Sequence, residues 1–376
     1  MKFSDVLDIR NGRNQRQVEN ANGKYPIYGS GGVMGRATDF ICDAGTVVIG
    51  RKGSINNPIF VDEPFWNVDT AFGLVAHRDV LLPKYLFYFC ANFDFERLNT
   101  TVTIPSLTKA NLLQIEINVP DMDEQRHVVS VLDKICRLTD LQQQELHNLD
   151  QLVKSRFIEL FGDPVSNPKD WNVEPLGNRC GIITGNTPPR SEPENYGKYI
   201  EWIKSDNINT PFTFITKAQE CLSEAGFEKC RFVEAGSILM TCIAGSIDCI
   251  GNVAVTDRRV AFNQQINAIV PEQDEVLYLY WLMQLSKPMI HRTINMALKG
   301  ILSKSQLSEI VFPFPPITLQ EQFAAFVEQT DKSKYYSAII YRKSAEPYCQ
   351  SEKRSICIYK IFSRCSIWFP ITYRIA

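Results

Sequence analysis

The chain repeats itself, and that repetition constrains its fold more than any other feature. "AGTVVIGRKGSI" (Ala44–Ile55) returns as "AGSILMTCIAGSI" (Ala235–Ile247). "LTKANLLQIEINVP" (Leu107–Pro120) returns as "LSKSQLSEIVFPFP" (Leu302–Pro315), and "DEQRHVVSVLDKI" (Asp123–Ile135) as "QEQFAAFVEQTDKS" (Gln320–Ser333). One such match is cheap. Three in the same order mark a tandem duplication. Aligned by letters, Glu124-Gln125 falls on Glu321-Gln322, and Arg51-Lys52 falls on Ile243-Ala244. With 376 residues, two domains of about 150 residues plus connectors fit the length.

Each copy has the same internal plan. The runs "TVVIG", "PIFV" and "GLVA" in the first copy, and "SILMTCIAG", "NVAVT" and "INAIV" in the second, read as short strands between turn residues. "LPKYLFYFCANF" and "VLYLYWLMQL" read as helices whose aromatic residues serve the core. A small turn-helix element follows Leu-Thr-Lys or Leu-Ser-Lys, and then a proline-rich stop.

After the first stop, Glu124–Phe161 contains neither proline nor glycine, and Gly162-Asp163-Pro164 ends the run. Ile135, Leu138, Leu146, Leu149, Val153, Phe157 and Leu160 fall at steps of three and four, with Gln142 filling the one gap. This predicts an amphipathic strut whose apolar stripe needs a partner helix. The second copy starts the same way after Leu319. From about Ala345, however, the text has Pro347, cysteines at 349, 357 and 365, and five Lys/Arg against two Asp/Glu. That tail reads as out-of-frame or recombined sequence replacing the end of the second helix.

Composition excludes several classes. Hydrophobic residues at 44% and charged residues at 22% are ordinary for a globular protein. No apolar run reaches the ~18 residues of a membrane span, and the start lacks a signal-peptide core. Eleven cysteines stand singly, without Cys-x-x-Cys spacing, which predicts reduced, mostly buried thiols rather than zinc or disulfides. The four histidines (His77, His127, His147, His291) form no ligand set. "YGSGGVMG" (Tyr28–Gly35) does not space its glycines as a nucleotide loop does and reads as a flexible turn near a binding surface. "NNPIF" (Asn56–Phe60) only faintly resembles the motif with which adenine methyltransferases hold a flipped base. Net charge is −2, yet residues 1–60 carry eight Lys/Arg against five Asp/Glu, a locally basic start compatible with DNA. The chain reads as a binder, not a catalyst.

The ordered blocks resemble the DNA-specificity (S) subunits of Type I restriction-modification systems. "LTKANLLQIEINVPDMDEQ" and "LSKSQLSEIVFPFPPITLQEQ" carry the resemblance. "QLVKSRFIELFGDP", "WIKSDNI", "KYPIYGSGG" and "VVIGRKGSI" strengthen it. The resemblance covers about residues 1–344. It implies an α/β (α+β) fold: a tandem pseudo-repeat of two globular target-recognition domains, separated by long helices packed as an antiparallel coiled coil. The implied boundaries are 1–120 for the first recognition domain, 121–162 for the central spacer helix and 163–315 for the second domain. Residues 316–344 then start the second conserved helix, and 345–376 form the aberrant tail.

The resemblance implies that each domain reads one half of a bipartite target in double-stranded DNA. Two methyltransferase subunits dock on the helices, and a restriction/translocase subunit joins them. The chain carries no cofactor of its own; S-adenosylmethionine, ATP and Mg are expected on the partner subunits, in the cytoplasm. Arg and Lys fix such a domain on phosphates, while Arg, Asn and Gln read base edges. The DNA-binding candidates are therefore Arg36, Arg51, Lys52 and Ser54 in the first copy. In the second they are Lys204, Asn207, Asn263, Gln264, Gln265 and Lys299. Alternative readings are a stand-alone DNA-binding scaffold, a solitary adenine DNA methyltransferase, and an inactive or phase-switched S subunit.

Overall fold

The computed structural model describes residues 1–99, 105–210, 212–294 and 300–351, the last without the side chains of 335 and 338–351. Two compact units are centred on Met1–Gln143 and on Gln144–Ser337. In the first, α1 (Phe3–Val6) leads into β1 (Leu7–Asn11), β2 (Tyr25–Gly29), β3 (Gly32–Ala37), β4 (Thr46–Gly50), β5 (Ile59–Val61), β6 (Trp66–Asn67) and β7 (Ala71–Ala76). Then come α2 (Pro83–Asn92), α3 (Lys109–Leu113) and α4 (Met122–Phe161), whose second half belongs to the other unit. The main sheet runs β1-β7-β4-β5, and a smaller one runs β3-β2-β6 with β2 and β6 parallel.

The second unit continues with β8 (Val173–Pro175), β9 (Cys180–Thr184), β10 (Tyr196–Ile203), β11 (Cys221–Leu222), α5 (Glu224–Glu228), β12 (Phe232–Val233), β13 (Ile238–Thr241), β14 (Val253–Val255), β15 (Val260–Phe262) and β16 (Ile266–Pro271). It closes with α6 (Val276–Leu285), α7 (Lys287–Arg292), α8 (Lys304–Glu309), β17 (Val311–Pro313) and α9 (Ile317–Ser351). Its main sheet, β9-β16-β13-β14, repeats the first unit's order, and its second sheet, β11-β10-β15-β12, again holds a parallel pair, β10 with β15. The fold is a duplicated mixed α/β unit.

The apolar runs behave as their composition demands. All five residues of β4 are buried, because the run lacks a polar face to offer solvent. Pro83 opens α2 at a position where its missing N–H costs nothing. In "LTK" and "LSK" the middle residue is an N-cap: the Thr108 hydroxyl accepts from Asn111 N at 3.2 Å, and the Ser303 hydroxyl accepts from Gln306 N at 3.2 Å. The Asp121 carboxylate caps α4, accepting from Asp123 N and Glu124 N. Gly162, at φ 81, ends it as a left-handed cap whose N–H reaches Ile158 O.

At 40 residues α4 spans roughly 60 Å. Ile135, Val153 and Phe157 are buried, and Leu138, Leu146, Leu149 and Leu160 are half-buried, while Leu141, Leu152 and Ile158 on the other faces are exposed. Val128, Val131, Leu132 and Phe161 extend the stripe at both ends. Within the second unit the end of α4 packs on the start of α9. Phe157 lies edge-on to Phe323, Arg156 lies over Phe326, Asp150 pairs with Lys334 at 2.8 Å, and Ser337 bonds Glu145 at 2.6 Å. Partners rise along α9 as they fall along α4, so these helices run antiparallel. The backbone of α9 stays helical past residue 344 and through Pro347 to Ser351; one proline removes one donor without having to end a helix. The remainder of the proposed tail, 352–376, lies outside the described residues.

One buried amide roots each long helix. Gln125 is fully buried; its Nε2 donates to Val80 O and Pro120 O, and its Oε1 accepts from Leu82 N, the N-cap of α2. Gln320 does the same in the second unit. It donates to Pro315 O and the Asp274 carboxylate and accepts from Glu275 N, the N-cap of α6. Asp274, itself buried, is held by both arms of Arg179 at 2.8 and 2.9 Å. The structural counterpart of Gln125 is thus Gln320, not Gln322, and the helix starts Met122 and Ile317 keep the same register.

A glycine is forced at the other end of each sheet. A β-carbon on Gly12 would lie 1.7 Å from Val68 O, and one on Gly185 2.2 Å from Asn263 O. No rotation relieves a clash with backbone.

Two predictions follow from these contacts. Q125A and Q320A leave buried backbone groups unpaired and should each cost about 1–3 kcal/mol in urea unfolding. Q322A, at an exposed position, should stay within about 0.5 kcal/mol; the reverse order would restore the letter alignment. G12A and G185A should each lose at least about 2 kcal/mol and lower the melting temperature, whereas G31A and G245A, with open space around them, should melt as the native chain does.

Candidate nucleic-acid interface

In each unit the forced glycine, the parallel strand pair and the loop after the central strand meet at one end of the main sheet. In the first unit Arg51 N and Lys52 N donate to Thr70 O at 2.8 and 3.2 Å, and Arg51 O accepts from Leu107 N at 2.9 Å. In the second, Cys242 N and Ile243 N donate to Gln265 O at 2.7 and 3.1 Å, and Cys242 O accepts from Leu302 N at 2.9 Å. Lys52 bridges Ser106 as Ile243 bridges Ile301. The backbone bonds therefore match Arg51-Lys52 to Cys242-Ile243, one residue earlier than the letters do. Where the first unit exposes two cations, the second has a buried thiol followed by a half-buried isoleucine.

Just beyond the forced glycine, each chain enters its second sheet the same way. Arg13 N donates to Asn67 O and Asn186 N to Phe262 O. A tryptophan indole then holds the entering residue's carbonyl: Trp66 Nε1 reaches Arg13 O at 3.0 Å, and Trp202 Nε1 reaches Asn186 O at 3.4 Å. Val68 N bonds Tyr28 O as Asn263 N bonds Ile203 O. By these bonds Lys204 occupies the position of Gly29, and Asn263-Gln264-Gln265 that of Val68-Asp69-Thr70.

The first-unit candidates divide. Arg51, Lys52 and Ser54 share one exposed loop, in which Gly53 takes φ 82. The Arg51 guanidinium lies 5.7 Å over the Phe72 ring. Ser54 folds back so that its carbonyl oxygen would meet a Gly50 β-carbon at 2.3 Å, which makes it a turn former. Ser30, in the turn between β2 and β3, packs against the same loop; "YGSGGVMG" is thus a hairpin rather than a loose turn, with Val33 and Met34 exposed just beyond its turn. Arg36 stands apart, at the end of β3 away from that turn. It is spent on the fold: Nε donates to Gly23 O and a terminal nitrogen to Lys24 O, both at 2.6 Å.

In the second unit Lys204, Asn207, Asn263, Gln264 and Gln265 do gather at this end, but not all are free. Asn207 is buried: its Oδ1 accepts from Lys204 N, and its Nδ2 donates to Thr216 Oγ1 and Lys217 O. Asn263 is buried too, exchanging hydrogen bonds with Gln265 at 3.1 and 3.2 Å. Both amides shape backbone. Gln264 is exposed and bonded to Thr187. Lys299 lies outside the described residues.

Two residues at this end, Arg190 and Glu220, carry no sequence signal. Arg190 and Lys204 both pair with Glu220, and Arg190 stacks over Tyr196 at 4.7 Å and Trp202 at 5.2 Å. Burial pushes the Glu220 carboxyl up, but the hydrogen bonds from Arg190 and Lys204 outweigh it and hold it below its ordinary range. Arg190 and Glu220 lie thirty positions apart, too far for any local pattern to pair them.

Other chemistry is thin. Among the described residues no three His, Cys, Asp or Glu side chains could hold a metal ion, and no helix is long and apolar enough to cross a membrane. The eight described cysteines are free thiols, four buried and four half-buried. Burial pushes Cys42, Cys180 and Cys242 each up to about 12, so they are not nucleophiles at neutral pH. Asn56 of "NNPIF" is committed internally, to the Asp94 carboxylate and Phe95 N.

The chain is similar to known proteins. The Type I restriction modification DNA specificity domain matches residues 1–151 and again residues 168–337. The specificity subunit of the Type I restriction enzyme HindI of Haemophilus influenzae is 24% identical over 305 residues, covering 59% of this chain and 65% of that protein. The MjaIX specificity subunit of Methanocaldococcus jannaschii is 28% identical over 176 residues, 44% of this chain and 38% of that one. The chain thus spans less than two thirds of the length of these relatives. The crystal structure of a Type-I restriction-modification S subunit from M. genitalium superposes with a TM-score of 0.61 at 16% identity, covering 91% of each chain, a likeness of fold. With two successive matches over most of its length, the chain belongs to the Type I restriction modification DNA specificity domain family.

Proposed function

We propose that the chain is the DNA-specificity subunit of a Type I restriction-modification complex. Each unit reads one half of a bipartite duplex target, and the long helices set the distance between the halves. The carrying observation is the duplicated sheet end, where identical backbone bonds present different side chains: Arg51-Lys52 against Cys242-Ile243, Gly29 against Lys204. A frame that keeps its backbone and exposes cations at different places in its two copies suits two different half-sites. In this reading the chain is non-catalytic. Two methyltransferase subunits dock on the helices, and a restriction/translocase subunit completes the complex. S-adenosylmethionine, ATP and Mg belong to those subunits, in the cytoplasm.

Arg51 and Lys52 supply phosphate or guanine contacts in the first unit, with Gln264 and Lys204 at the matching end of the second. The half-buried stripe around Leu138, Leu146 and Leu149, together with the buried Ile135, Val153 and Phe157, holds α4 against its packing partners.

The test is methylome sequencing of cells expressing the chain with its methyltransferase. A heptad inserted in α4 near Gln143 keeps the apolar stripe in phase and lengthens the helix by about 10 Å. At 3.4 Å per base pair, the methylated target should keep both half-sites and gain about three base pairs between them. A new half-site with unchanged spacing would defeat the spacer assignment. Absence of any bipartite methylation would defeat the function itself.

A further inference from the structure

The second unit's reading end holds one carboxylate between two cations. Glu220 receives Arg190 through both terminal nitrogens, at 2.5 and 3.3 Å, and receives the Lys204 ammonium on Oε2. The cations do not depend on it for their placement. Arg190 is stacked on Tyr196 and Trp202, and the Lys204 ammonium lies 5.2 Å over the Trp202 ring. The Arg190 side chain is 57% exposed, Lys204 35% and Glu220 27%. Glu220 is tethered through its backbone, where its carbonyl accepts from Trp202 N at 3.1 Å, so only its side chain needs to move. The two rings bond Asn186 O and Pro188 O on either side of Thr187, whose hydroxyl bonds Gln264, and the first unit has Gly29 in the place of Lys204.

We propose that Arg190 and Lys204 form a DNA-phosphate seat of the second unit, and that Glu220 occupies it as an intramolecular stand-in until duplex DNA displaces the carboxylate. This rests on the DNA-reading function above. A carboxylate and a phosphate present the same planar pair of acceptors to a guanidinium. Two cations share one anion, leaving the site net positive, and the ring faces keep both cations placed when the carboxylate swings away. A carboxylate left beside a phosphate would repel it, so the site binds DNA only by exchanging one anion for the other.

A phosphate contact is independent of sequence, so a mixed-sequence duplex serves as the probe. Binding of the full chain is followed by fluorescence anisotropy across a salt series, with thermal melting to report folding. E220Q, nearly isosteric, should bind several-fold tighter at low salt and steepen the slope of log affinity against log salt by about one to two. R190A and K204A should each weaken binding and flatten the slope by about one. In the R190A/K204A double variant, E220Q should no longer steepen the slope, because no cation is freed. Unchanged or weaker binding by a folded E220Q with the native slope overturns the seat while leaving the DNA-reading function in place. Should E220Q not fold, R190A and K204A decide: native slopes in both overturn the seat. A wild-type chain with no salt-dependent duplex binding overturns both the seat and the reading on which it rests.

Discussion

The buried glutamine at the root of each long helix is the contact on which the rest of the structure depends. Gln125 and Gln320 satisfy a helix N-cap amide and a proline carbonyl with a single side chain. Leaving such groups unpaired in the interior costs about 1–3 kcal/mol each. The amide therefore does more than add stability: it fixes the rotation at which the helix leaves its unit. Val128 and Leu132 on α4, like Phe323 and Val327 on α9, face inward because the glutamine three residues before the first of them is locked. A helix free to turn would expose that stripe. The second unit strengthens the lock with Asp274, held by Arg179 as well as Gln320, which places a buried charge where the first unit uses the Val80 carbonyl.

Much of this was legible in the letters. The strands, the two aromatic helices and the small turn-helix elements follow from apolar runs and punctuation, because those depend on local chemistry. The stripe from Ile135 to Leu160 follows from helical periodicity. What the letters could not carry was register. "DEQ" and "QEQ" invite Gln125 onto Gln322, but the buried partner is Gln320, two residues earlier. Identity between exposed residues is uninformative, whereas a hydrogen-bonding position is fixed by what surrounds it. The Arg51-Lys52 match slipped by one for a similar reason: the second unit's loop is longer, and an insertion moves letters without moving the strand end.

At the candidate interface the sequence pointed to regions that the fold gathers at matching sheet ends, rather than to individual exposed residues. Asparagine types both a base contact and a backbone brace, and Asn207 and Asn263 are the second kind. Arg36 has the charge of a phosphate contact yet serves two carbonyls of its own hairpin. The cluster that does present cations, Arg190 with Lys204 on a tryptophan, is assembled from three stretches brought together by β10 and its neighbours. Its organising carboxylate, Glu220, stands at the start of an edge strand with no local motif around it.

The duplication also shows how such a unit changes the side chains at one end without losing what holds it. In each copy the helix root and the candidate-interface loops lie at opposite ends of the same strand, β7 or β16, each six residues long. That separates them by roughly 17 Å. That distance exceeds the screening length of about 8–10 Å at physiological salt, so a change of charge on an exposed loop is largely screened from the helix root. Substitutions at Arg51, Lys204 or Gln264 alter outward groups beyond the last ladder bond. Substitutions at Gly12, Gly185, Gln125 or Gln320 meet backbone or buried polar groups directly. The two copies differ accordingly, keeping glycine, glutamine and cap residue at equivalent positions while Arg51 gives way to Cys242 and Gly29 to Lys204. Divergence has accumulated at the sheet end, where an exposed Arg51 stands opposite a buried Cys242 and a buried Gly29 opposite a half-exposed Lys204, and stopped where a side chain would meet its own backbone.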